Sequence, residues 1–130
     1  MASMKQIHSG DAPAAIGPYS QAVRVGNLVF VSGQVPFDPA TGEMIDGDID
    51  ALTRRCMDSI LGILEAASLN VDHIVKTNIY LADMGEFAAM NEAYGSYFEG
   101  VAVPPARAAV QPARLPKDAR IEIEVIAARS

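Results

Sequence analysis

Four consecutive residues, Leu28-Val29-Phe30-Val31, are apolar at both strand parities. Neighbouring strand side chains point to opposite faces, so such a run belongs in a strand covered on both sides. Gly26-Asn27 separates it from a second short run, Ala22–Val25, and is a two-residue hairpin signal. The strand over Leu28–Ser32 then meets Gly33, which predicts a bulge or a close approach of backbone to another group. The turn-rich stretch PFDPATGE follows.

From Asp48 the period changes. Ile49, Leu52, Cys56, Ile60, Ile63 and Leu64 recur at steps of three and four, one face of an amphipathic helix. Asp48 suits its N-cap, and Asn70 is expected near its end. HIVKTNIYLAD returns to strand composition. Asp83 and Glu86 resemble a capping box opening a second helix, with Phe87, Met90, Tyr94 and Phe98 along one side and Gly100 as its stop. Strands over about Ala106–Gln111 and Arg120–Ala127 complete a β-β-α-β-α-β-β order. That order predicts an α+β domain with one sheet spanning residues 1–130, with no repeat or linker. Two helices cover one face of the sheet. The LVFV strand demands a cover on the other face that the chain does not contain, and a second copy of the chain is the simplest supply. A homo-oligomer is therefore expected.

With 50% hydrophobic and 20% charged residues, the 130-residue chain has an ordinary globular balance. Its net charge of -6 and lack of a basic run argue against nucleic-acid and anionic-membrane partners. A single cysteine, Cys56, allows no intramolecular disulfide and falls on the apolar helix face. The N-terminal stretch lacks a secretory h-region and nothing downstream is long and apolar enough to span a bilayer, so a cytoplasmic setting is expected.

Arg107 is the charge that stands out, because PPARAAV otherwise reads as a buried strand. In an extended chain Arg107, Ala109 and Gln111 point one way. A buried unpaired cation is too costly to persist, so Arg107 must meet an anion. Spacing alone favours a structural ion pair with Glu122 or Glu124; the other reading is a clamp for a substrate carboxylate. In ARIEIEVIA, Ile121, Ile123, Val125 and Ala127 share one face while Glu122 and Glu124 share the other. A solvated strand face explains Glu124 well, but a glutamate desolvated at an oligomer interface would have a raised pKa and could exchange protons. Tyr19 in IGPYSQ is either a packed aromatic or a pocket residue, and Asn91 reads as the polar face of the second helix. His8, His73 and Cys56 lack the spacing of a zinc site. No phosphate loop, G-x-S-x-G elbow or H-E-x-x-H occurs.

Four segments together carry a family pattern: APAAIGPYSQAV, VFVSGQVPFDPATGE, HIVKTNIYLADMGEFAAMNEAYGSYF and PPARAAVQPARLPKDARIEIEVIA. In order and spacing, from about Ala12 to Ala127, the chain resembles the reactive intermediate deaminase (RidA/YjgF) family. The resemblance implies a chorismate-mutase-like fold, a mixed sheet with two helices on one side, assembled as a homotrimer with clefts between subunits. It implies cofactor-free and metal-free hydrolysis of 2-imino or enamine acids, such as 2-aminoacrylate, to 2-keto acids and ammonia. Arg107 matches the arginine that holds the substrate carboxylate, and Glu122 the glutamate that positions and activates water. Tyr19, Ser32 and Asn91 match residues in or near the pocket, and Gly33 would supply close backbone. Many members carry cysteine two residues after the arginine; Ala109 stands there in this chain, which excludes a thiol nucleophile at that position. Two other readings stay open on the sequence: a non-catalytic trimer that binds small carboxylates, and the ribonuclease or translation-inhibitor role attached to some members.

Overall fold

Asp48 starts the longest helix as its composition predicts. In the computed structural model, which describes residues 3–129, the Asp48 carboxylate accepts from the Ala51 amide at 2.9 Å. Helix α1 runs from Ile49 to Ala66 and buries Leu52, Cys56, Met57, Ile60, Ile63 and Leu64 along one stripe. It ends before Asn70. Ser68 adopts a left-handed φ of 61°, and Asn70 instead caps a short turn over Val71–His73.

The strands are β1 (Met4–Ile7), β2 (Ala22–Val25), β3 (Leu28–Gln34), β4 (Ile74–Leu81), β5 (Ala106–Val110) and β6 (Ile121–Ala128). They form one sheet in the order β1-β2-β3-β6-β4-β5. Every neighbouring pair is antiparallel except β4–β5, which makes the sheet mixed. The parallel pair is joined across helix α2 (Phe87–Ser96), because parallel neighbours need a crossover. Gly26 supplies the positive φ, 58°, that the β2–β3 hairpin turn requires. Strand β1 is absent from the sequence-based order; three of its four residues are exposed, so MKQI carries no alternating apolar signal.

Two features of α2 differ from expectation. Asp83 does cap, accepting from Gly85 N at 2.8 Å, but it opens a short turn over Met84–Glu86 and no capping box forms. Glu86 is engaged elsewhere, in an ion pair with Arg120. The helix also stops at Ser96, ahead of Gly100, and Phe98 packs on Tyr94 at 4.7 Å between ring centroids.

Helix α1 and the Met90–Tyr94 side of α2 share one core with Val29, Val31, Ile79, Ile123 and Val125 of the sheet. Cys56 is fully buried there, and burial pushes its thiol far up, away from thiolate chemistry. The other face of the sheet is bare within one chain. Val29 and Val31 are 1% and 4% exposed under the helices, whereas Leu28 and Phe30 are 41% and 39% exposed on the opposite side. Two-sided burial of the LVFV strand is thus not achieved by this chain alone. No helix among the described residues is long and apolar enough to cross a membrane.

Candidate active site

A cavity of about 430 Å³ opens at the end of β3 and the start of β6, beside three loops, and Tyr19, Ser32, Gly33 and Glu122 all line it. Ile16, Val35, Phe37, Pro116 and Lys117 complete its walls. The β3–β6 register shifts between Val31 and Gln34, an irregularity in the stretch that holds Ser32 and Gly33. It brings the strand backbone under the Glu122 side chain. A β-carbon at Gly33 would lie only 2.8 Å from the Glu122 carboxyl carbon, so the carboxyl occupies space that any other residue would fill.

The opposite wall is held by hydrogen bonds that begin at Gln21. This buried amide donates to the carbonyls of Ser9, Ala12 and Pro13 at 3.1, 3.3 and 2.8 Å, and its oxygen accepts from Ser9 N at 2.7 Å. Ser32 Oγ donates to the Ser20 carbonyl at 2.7 Å, tying the IGPYSQ turn to β3. Tyr19 remains 52% exposed at the cavity, with its hydroxyl 3.4 Å from the Ile16 amide.

Glu122 makes no hydrogen bond among the described residues. Burial raises its pKa from the ordinary glutamate value, and the nearby negative charge of Glu124 adds to the rise. Glu124 itself is satisfied, accepting from Tyr80 Oη at 2.6 Å and Asn78 Nδ2 at 3.2 Å. That contact pushes the Tyr80 hydroxyl up to about 12. The two glutamates of IEIE therefore differ: one is held in a network, and the other lines the cavity with no hydrogen-bond partner among the described residues.

Arg107 lies elsewhere. In register it stands beside Thr77, which stands beside Val125, and both of those are buried under the helices. Glu122 stands beside Tyr80, which stands beside Val110. Residues paired across strands share a face, so Arg107 and Glu122 project from opposite faces of the sheet. Asn91 does join Arg107, accepting from its Nη1 at 2.6 Å. The guanidinium carbon lies 5.5 Å from the Phe87 ring and 5.2 Å from the Tyr94 ring, within cation–π range. Ala109, two residues on, is half-buried on the same side.

Two sequence-based expectations change here. Strand β5 is an exposed edge of the chain, and Arg107 is exposed with it, because no strand follows β5 in the sheet. Nor does Arg107 pair with Glu122 or Glu124; among the described residues it has no carboxylate partner. The ion pair favoured on spacing is excluded by the sheet itself, which separates the groups. Ile16, Val35, Phe37, Pro116 and Lys117 were not singled out as site residues by the sequence. They belong to three loops, and the approach of two of them depends on tertiary packing of Val35 against Leu115 and Ala119.

With that geometry in place, comparison with known proteins is decisive. The profile of the family described as endoribonuclease L-PSP matches residues 9–129. The chain belongs to that family. It is the RidA/YjgF group that the four segments resemble. Among curated relatives in the L-PSP family, the protein DfrA of Myxococcus xanthus is 51% identical over 95% of this chain and 94% of its own length. A 2-iminobutanoate/2-iminopropanoate deaminase of Escherichia coli is 48% identical over 96% of this chain and 98% of its own. The crystal structure of E. coli TdcF with bound serine superposes with a TM-score of 0.92 at 44% identity, covering 97% of this chain and 99% of that one. The α+β architecture, one mixed sheet carrying two helices, is that of the L-PSP fold.

The L-PSP chain offers one inexpensive check on the cavity. Gly33→Ala is expected to push the Glu122 carboxyl aside, since the group in the way is the movable end of a side chain. If Glu122 serves as a proton-transfer group, turnover should fall about tenfold or more, because misplacing such a group by about 1 Å can cost about a hundredfold. The melting temperature should barely change, and a variant as active as the parent would show that the close approach is incidental.

Proposed function

We propose that this chain hydrolyses reactive 2-imino acids and their enamine tautomers to 2-keto acids and ammonia, in clefts shared by two copies. The observation that carries this reading is Glu122. A half-buried carboxyl with a raised pKa and no hydrogen-bond partner among the described residues, lying over bare backbone in a walled cavity, is suited to exchanging protons with a reacting group. The 48% identity to a 2-iminobutanoate/2-iminopropanoate deaminase supports the same chemistry.

The site is incomplete in one chain, because Arg107 and Glu122 leave opposite faces of the sheet. Packing the bare face, with Leu28 and Phe30, against a second copy would let the exposed edge strand β5 of one chain approach the Glu122 cavity of another. A homotrimer, the assembly that the family resemblance implies, would supply that geometry. Arg107, already oriented by Asn91, would then clamp the substrate carboxylate with its free guanidinium nitrogens.

The steps follow from the groups present. Water adds to the carbon of the protonated imine as Glu122 takes one of its protons, giving a neutral carbinolamine. Glu122 then returns that proton to the amine nitrogen. The C–N bond breaks, ammonia leaves, and loss of the hydroxyl proton gives the keto acid. No electrons are exchanged and no cofactor is invoked. Clamping one end of the substrate fixes its electrophilic carbon beside the water, which is worth most in a reaction that already proceeds in solution.

A coupled assay settles the reading. Several 2-imino acids, generated in situ by an amino-acid oxidase, are followed with and without the protein. Accelerated release of keto acid is expected. Tight binding of small carboxylates without acceleration would favour a binding role; E. coli TdcF has been seen with bound serine. Cleavage of RNA would favour the activity in the family's description, against which stands the net charge of -6.

A further inference from the structure

The walls of the Glu122 cavity include a basic side chain, Lys117, held in a conformation that lysine seldom adopts. Its backbone sits at φ 56°, ψ 25°, and Asp118 follows at φ 54°. Besides Ser68, these are the only non-glycine residues with positive φ among the described residues. A β-carbon makes the left-handed region unfavourable, and lysine has no short polar side chain to offset it.

The strain is held in place from both sides. Arg114 grips the Asp118 carboxylate with Nε at 2.7 Å and a second nitrogen at 3.1 Å. The turn is closed by Asp118 N on the Leu115 carbonyl and Ala119 N on the Pro116 carbonyl, both at 3.1 Å, and Leu115 and Ala119 are buried. Glycine at position 117 would make the same turn without the strain. The side chain, then, is what the position supplies. Because Asp118 is occupied by Arg114, the Lys117 ammonium has no ion-pair partner among the described residues.

We propose that Lys117 is a specificity-determining residue of this cleft: its ammonium, set at the rim by the left-handed turn, draws in ligands bearing a carboxylate and discriminates against their uncharged counterparts. The need for it follows from charge. The chain carries -6, and Glu122 lies in the cavity itself with Glu124 on the same face. An anion approaching that cleft is repelled, and an uncompensated cation beside the opening offsets part of that repulsion. The inference rests on reading the Glu122 cavity as the substrate site, and it goes beyond that reading by giving the selection for carboxylates a second residue besides Arg107.

Binding of 2-oxobutanoate and of its uncharged amide, followed by NMR titration, tests this alongside turnover of 2-iminobutanoate. Lys117→Gln is expected to weaken 2-oxobutanoate binding about three- to tenfold at low salt, as loss of one steering charge should. The loss should shrink toward nothing near 1 M salt, where the screening length is only about 3 Å. Binding of the amide should not change. Lys117→Arg should restore affinity, and Lys117→Gly should bind as weakly as the Gln variant while melting higher, separating charge from strain. Unaltered 2-oxobutanoate binding by Lys117→Gln at low salt overturns the proposal. So does a loss that persists equally at high salt or extends to the amide. Should the parent bind 2-oxobutanoate in a Lys117-dependent way yet turn over no imino acid, the deaminase reading falls and Lys117 keeps its role. Turnover with no Lys117 dependence gives the reverse, and a parent that binds no 2-oxobutanoate overturns both.

Discussion

Replacing Glu122 with glutamine should lower kcat by about 10²- to 10⁴-fold, the usual contribution of a positioned acid–base group, and should make the protein more stable. The two effects have one cause. Burial and the Glu124 charge hold the Glu122 pKa above its ordinary value. Between the unfolded-chain value, about 4.3, and the raised folded value, the folded state binds more protons than the unfolded one. Stability therefore falls as pH rises through that window, and above it the ionised carboxylate remains a cost. Glutamine keeps the shape and cannot ionise. The melting temperature of the Gln variant should exceed the parent's at pH 7, and the gap should close below about pH 4. Parent activity should rise with pH through the same raised pKa, because only the ionised carboxylate accepts a proton from water. Calorimetry at the two pH values and a pH–rate profile check both halves. A Gln variant that retains activity, or that is destabilised at pH 7, would separate Glu122 from the proton-transfer role.

Much of this was legible in the sequence, and the exceptions share a reason. The IEIE alternation placed Ile121, Ile123, Val125 and Ala127 in the core and Glu122 and Glu124 opposite, because strand periodicity is a local property. The α1 stripe and its Asp48 cap were local in the same way. The apolar LVFV run also announced a face that one chain leaves open, as Leu28 and Phe30 show. What failed was non-local. Arg107 read as buried because its neighbours are small and apolar, yet its burial depends on where β5 falls in the sheet, and that is at an edge. The ion pair with Glu122 or Glu124 looked reasonable from spacing, but the side each strand presents was fixed only by the β6–β4–β5 register. Lys117 left no periodic signal at all. Its left-handed turn is set by the Arg114–Asp118 grip and by the burial of Leu115 and Ala119.

Arg107→Ala should lower kcat/KM by about 30- to 5,000-fold, the range for removing one member of a buried charge-assisted pair at about 2–5 kcal/mol. Stability should drop by only about 1 kcal/mol, since in the isolated chain Arg107 is exposed and its contacts are Asn91 and two aromatic faces. The stronger experiment uses this variant together with Glu122→Gln. Both groups sit in every chain, but on opposite faces of the sheet, so neither variant damages the half of the site that the other lacks. If each cleft takes Arg107 from one copy and Glu122 from another, co-refolding the two inactive proteins in equal amounts yields some clefts with both groups intact. Random assembly puts that share at roughly a quarter, with turnover recovering in proportion. Simple mixing without exchange of subunits should recover nothing. If each site were built within one chain, co-refolding would leave the mixture as inactive as its parts, and the shared-cleft mechanism would have to be abandoned even if Arg107 and Glu122 each proved essential alone.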